Sequence, residues 1–144
     1  MNWIYLALLT ACFYALYNIF IKMASGHIHE ITGAVILQVV AFVIGGLWLI
    51  YLKMKGVPTE VTSKGIGLAV LAGIFVGLAE IFSFLVFSKG VPASAGIPVI
   101  IGGSVLIAAA IGFLWLRETL TLSNLLGLAL IVAGIWLLSR KPGI

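Results

Sequence analysis

The sequence predicts an all-α membrane protein with five spanning helices, and three observations carry that expectation. Hydrophobic residues make up 63% of the 144-residue chain and charged residues only 8%, against about 25% charged in an ordinary soluble domain. Mean hydropathy is +1.30. Five apolar runs approach or reach the roughly 20 residues that cross a bilayer as helix. At this length the residues 1–144 read as one membrane domain, with no room for a soluble catalytic domain.

The spacing of the breaks places the helices at Trp3–Met23, Ile31–Leu52, Ile66–Ser88, Ala93–Leu116 and Leu122–Ser139. The first closes at Ala24-Ser25-Gly26-His27, where glycine frees the chain to turn. Lys53–Lys64, with Gly56-Val57-Pro58 inside it, is the longest and most polar break. Gly90-Val91-Pro92 makes a tight turn, and Arg117-Glu118-Thr119 ends the fourth helix. Thr121 or Ser123 is placed to cap the fifth. Trp3, Tyr5, Trp48, Tyr51, Trp115 and Trp136 gather near the helix ends, as an aromatic belt does. Pro98, inside the fourth helix, predicts a kink or a broken first turn. The N-terminus lacks a basic n-region and its apolar run is longer than a signal h-region, so no cleavable signal is expected.

Within these helices one ionisable residue stands out. Glu80 is the only acid inside a spanning run, whereas Glu30, Glu60 and Glu118 fall at the breaks. A carboxylate in hydrocarbon costs about 2.5–3.5 kcal/mol even on the lenient insertion scale, so such a residue faces a bundle interior or a wet cavity. Carrying a proton, or contacting a cationic substrate, is the work it suits; the structural alternative is an acid hydrogen-bonded across helices. Gly73, Gly77, Glu80, Phe84 and Phe87 share one stripe of the third helix, with Ser83 beside it. The first helix places Thr10, Tyr14, Tyr17, Asn18 and Lys22 on one face, and Gln38 is the only polar member of a face of the second. Tyr14, Tyr17, Asn18, Gln38 and Ser83 are the candidates to line a substrate pathway, with interhelical hydrogen bonding as the competing role.

Other chemistries find no support in the residue pattern. His27-Ile28-His29-Glu30 lacks the HExxH spacing and has no Cys or Asp beside it, so it reads as a solvated loop rather than a metal site. No nucleophile constellation, phosphate loop or cofactor motif is present, and neither an enzyme nor a cofactor is expected. The single Cys12 excludes an internal disulfide. The net charge of +4 fits loop lysines beside lipid headgroups rather than a nucleic-acid surface.

Five helices put the termini on opposite sides of the membrane. Lys53, Lys55, Lys64 and Arg117 then lie on one side and Lys22, Lys89, Arg140 and Lys141 on the other. Orientation follows Lys/Arg asymmetry, and here there is none. Either one orientation dominates weakly, or the chain inserts both ways and opposed copies pair about a two-fold axis in the membrane plane. The second reading is preferred, because five helices alone make a thin wall around a pathway and an opposed pair recreates a ten-helix inverted repeat. On the fifth helix, Gly127, Ile131 and Gly134 share a face suited to close approach, making them candidates for the dimer interface.

Several segments resemble the drug/metabolite transporter superfamily. They are Tyr17-Asn18-Ile19-Phe20-Ile21-Lys22, the run from Ser88 through Lys89-Gly90-Val91-Pro92 to Pro98, Arg117-Glu118-Thr119-Leu120, and Gly127 to Gly134. The resemblance covers essentially the whole chain and is to a single five-helix EamA-type unit, one half of a ten-helix inverted-repeat transporter. It implies a multi-pass protein of the cell membrane that moves a small metabolite or amphiphile by alternating access, with protons as partner. The last three helices also resemble the small multidrug resistance family, which works as an antiparallel dimer and couples protons through a first-helix Glu. The matching position here, eight residues before Lys22, is Tyr14, and the acid sits at Glu80 instead. Two alternatives remain open at this point: a non-transporting membrane subunit, and one half of a heterodimeric lipid-sugar flippase.

Overall fold

The computed structural model describes residues 2–140; Lys141, counted above among the basic residues, lies outside them. Five helices follow one another: α1 (Trp3–Ala24), α2 (Glu30–Met54), α3 (Ser63–Ser88), α4 (Ala93–Leu114) and α5 (Leu122–Ser139). Each is long and apolar enough to cross a membrane, and the chain is an all-helical membrane protein with five such elements. Large apolar side chains such as Phe42, Phe75 and Leu130 point outward, as lipid-facing residues do.

The ends follow local chemistry. The Asn2 side chain accepts from the Ile4 amide at 3.4 Å and opens α1. His29 Nδ1 accepts from the Ile31 amide at 3.3 Å, so α2 begins at Glu30, which favours the positive end of the helix dipole. Thr62 Oγ1 accepts from the Gly65 amide at 3.1 Å and starts α3 at Ser63, three residues before the predicted Ile66. The Thr121 hydroxyl, rather than that of Ser123, caps α5 by accepting from the Asn124 amide at 3.2 Å. Gly26, Gly56 and Gly90 take the left-handed region, with φ of 87°, 70° and 84°, just past the ends of α1, α2 and α3.

The fourth helix departs from expectation at its C-terminal end, and of the two effects predicted for Pro98 the broken first turn is absent. It runs unbroken through Pro98 from Ala93 to Leu114, so the first turn survives. It ends two residues before Leu116, because the chain wraps back on itself. The Glu118 amide donates to the Gly112 carbonyl at 3.0 Å, and Arg117 takes φ 56° to make that turn. The Glu118 carboxylate lies over Gly112, where only glycine leaves room for it.

Two compact units divide at Gly90 and Val91. In the first, α3 packs against both α1 and α2. Gly33 of α2 receives the Phe84 ring of α3, and a Cβ at that position would stand 2.6 Å from Phe84 Cζ. In the second unit, α4 packs against α5, and Gly102 receives Ile131 and Ile135.

Candidate functional site

The three helices of the first unit bring one polar residue each to a common point. Glu80 lies well inside α3, half-buried. From α2, Gln38 Nε2 donates to Glu80 Oε2 at 3.3 Å. From α1, the Tyr17 hydroxyl presents a second donor to the same carboxyl group. Both donors are neutral, so neither compels the acid to remain ionised as a paired cation would. Gly77, one turn before Glu80, faces the Gln38 amide: a Cβ there would sit 4.0 Å from Nε2, an ordinary contact.

Helical geometry explains why these three meet. Ile21, Ala34 and Phe84 are buried one turn away, with the Phe84 ring seated on Gly33. Tyr17, Gln38 and Glu80 each lie four residues from one of them, and therefore on the same helix face. The apolar layer sets the rotation of each helix, and the polar residues one turn along inherit it.

The other sequence candidates stand elsewhere. Asn18 is buried, but its amide donates to the Tyr14 carbonyl of its own helix at 2.8 Å. Tyr14 is exposed and meets Tyr17 edge-on, with ring centroids 6.1 Å apart. Ser83 is buried one turn beyond Glu80 and donates to the Ala79 carbonyl at 2.8 Å. Thr10 likewise donates to Leu6 on its own helix. Pro98 lies in α4, and Gly127, Ile131 and Gly134 lie in α5, within the second unit. Ile131 faces α4 at Gly102, whereas Gly127 and Gly134 have open space where a side chain would project.

Sequence reading singled out neither the Gly33–Phe84 contact nor a role for Lys22. Lys22 Nζ lies 3.4 Å from the Phe87 carbonyl oxygen and 5.9 Å from the centre of the Phe87 ring. Glu30, at the start of α2, meets Ser88 at the end of α3. A signal for the first contact was present: Gly33-Ala34, a small-residue pair in the opening turn of α2. Among the described residues no three His, Cys, Asp or Glu side chains gather as a metal site would require. His29 Nε2 and Glu30 Oε2 stand 3.8 Å apart as a local pair.

Comparison with known proteins bears on what this arrangement serves. The multidrug resistance protein EbrB of Bacillus licheniformis is 41% identical over 71 residues, covering 49% of this chain and 60% of that protein. EbrB of Bacillus subtilis is 35% identical over 72 residues, covering 49% of this chain and 62% of that protein. The chain thus spans less than two thirds of the length of these relatives. No solved structure matches it. The model of the EamA-like transporter family matches residues 1–140. With nearly its whole length matched and five membrane-crossing helices formed, the chain belongs to the EamA-like transporter family.

Proposed function

We propose that this chain is a proton-coupled secondary transporter of a small metabolite or amphiphilic compound, working in the cell membrane by alternating access. Residues 1–144 act as one half of the machine, and an antiparallel homodimer completes it. One observation carries this reading: the only acid in the interior of a spanning helix stands where three helices meet, held by two neutral donors. A lysine or arginine partner would fix the carboxyl in its ionised form. Tyr17 and Gln38 instead hydrogen-bond it without adding charge, so it can take up a proton on one side of a transport cycle and give it up on the other.

Tyr17 and Gln38 line the pathway beside Glu80, and Ser83 lies one turn further along α3. Tyr14 stands at the edge of this group through its contact with Tyr17, and Asn18 braces α1 behind it. The relatives' name, multidrug resistance protein, favours small organic compounds as cargo.

The test is proton and solute flux in proteoliposomes, with a lumenal pH dye and a panel of small amphiphiles of differing charge. Wild type is expected to move protons in exchange for at least one compound. Glu80→Gln keeps the shape and cannot exchange a proton; it is expected to insert normally and lose gradient-driven uptake. Full gradient-driven uptake by that variant overturns the coupling role. Silence of purified wild type across the panel points to a non-transporting subunit, and flux only when a second chain is added points to half of a heterodimeric flippase.

A further inference from the structure

Burial in the first unit is confined to one end. The buried residues of α1 are Asn18 and Ile21, those of α2 are Gly33 and Ala34, and those of α3 are Ser83, Phe84 and Phe87. Because consecutive helices alternate in direction, all seven lie at the end that holds the α1 C-terminus, the α2 N-terminus and the α3 C-terminus. Towards the other end, Gly45, Gly46, Gly67 and Gly73 have nothing within 4 Å of where a Cβ would stand.

The packed end is layered. Tyr17, Gln38 and Glu80 form a polar layer. One turn on, Ile21, Ala34 and Phe84 form an apolar one, with Phe84 pressed onto Gly33. Phe87 follows, about 10 Å along α3 from Glu80 at 1.5 Å per residue, and is 2% exposed. Beyond it, polar links join the helices at this end. Lys22 of α1 reaches the Phe87 carbonyl in the last turn of α3, which also accepts from the Gly90 amide at 3.1 Å, and Glu30 of α2 meets Ser88.

From this layering we infer that Ile21, Phe84 and Phe87 form a gate that closes the Glu80 site towards the membrane face at the α3 C-terminus, and that Lys22 is its latch. The inference rests on the transporter reading above, since a gate matters only to a site that must face both sides in turn. Its chemistry is simple. An apolar plug two side chains deep excludes water from the carboxyl on that side. A single long hydrogen bond from a flexible lysine holds it shut while remaining weak enough to release. The missing side chain at Gly33 leaves the Phe84 ring room to slide off α2.

Thiol labelling in nanodiscs tests the gate, because both faces are then open to reagent and the orientation of the chain does not matter. The parent is Cys12→Ser, which removes the single native thiol. Ser83→Cys places a thiol at plug depth, and Val61→Cys, in the loop before α3, serves as an exposed control. A water-soluble, charged methanethiosulfonate is expected to label the plug thiol slowly and the control thiol fast. Lys22→Met is expected to speed labelling of the plug thiol roughly tenfold, as loss of one hydrogen bond to a charged group would. Phe87→Leu, which thins the plug and keeps the backbone carbonyl that Lys22 reaches, is expected to do the same. Lys22→Arg keeps the donor and is expected to leave the plug thiol protected. In every variant the control thiol is expected to keep its rate. Equal labelling at position 83 with Lys, Met or Arg at position 22 overturns the latch. Labelling at position 83 as fast as at position 61, with Lys22 and Phe87 intact, overturns the gate. Neither measurement uses a proton gradient, so the outcome is separate from that of Glu80→Gln: coupling lost there while the plug thiol ignores Lys22 removes the latch alone.

Discussion

At the scale of single residues, Gly33 decides how α2 and α3 meet. The Phe84 ring occupies the space a side chain would take, with three ring atoms 2.6–2.9 Å from an added Cβ. Gly33→Ala must push the ring aside in a packed layer, which costs about 1–3 kcal/mol where small-to-large changes strain a filled core. A lower unfolding temperature in detergent is the expected result. Gly45→Ala, on an exposed face of the same helix with open space around it, is the control. It is expected to be neutral or to stabilise by up to about 1 kcal/mol through helix propensity. Equal effects of the two substitutions would mean that the Phe84 contact does not hold the helices together.

Among elements, the α4–α5 pair packs through a second small residue. A Cβ at Gly102 would stand 3.0 Å from Ile135 Cδ1 and 3.2 Å from Ile131 Cγ2. Alanine there needs only a small shift of flexible isoleucine ends, but Gly102→Leu cannot be seated. That variant is expected to lose about 1–3 kcal/mol, the range for overpacking, and to become sensitive to proteolysis near Arg117–Thr121. Gly103→Leu, whose Cβ meets nothing within 4 Å, is expected to behave as wild type in the same assays. Small residues work this way in membranes because lipid is as apolar as the side chains, leaving close packing and hydrogen bonds to drive association.

For the whole molecule, two expectations concern assembly. The four-to-four division of basic residues gives insertion no bias. Reporters at the C-terminus are therefore expected to give signal on both sides of the membrane, and two lysines added to one side's loops are expected to move nearly all of it to one. A native C-terminus seen on one side only overturns the antiparallel homodimer. The fifth helix offers the second test. Gly127→Leu with Gly134→Leu places the first side-chain carbon in open space at both positions. The double variant is expected to remain folded and shift towards monomer in detergent. Unchanged crosslinking in lipid would remove this face of α5 from any interface, leaving Ile131 to its observed place against α4.

Sequence alone located five helices long and apolar enough to cross a membrane, to within a few residues. Transfer of an apolar run into lipid is a local property summed along the chain, so hydropathy reads it directly. Two of the helix ends it misplaced depended on contacts. Lys64 and Gly65 read as loop until Thr62 capped them into α3, and Trp115-Leu116 read as helix until the turn over Gly112 ended α4 early. Glu80 was legible for the same reason as the spans, because a lone carboxyl in hydrocarbon is costly wherever it points. Which of the five candidates meet it was not legible. Tyr17 and Asn18 share a face in sequence, yet they differ by about 100° around the helix, and only Tyr17 turns to the acid while Asn18 bonds its own backbone. That choice depends on the rotation of α1, α2 and α3 about their axes, set by the burial of Ile21, Ala34 and Phe84 and by the seat of the Phe84 ring on Gly33. Helices apolar on every side carry almost no sequence signal for rotation, so only the tertiary packing decided it.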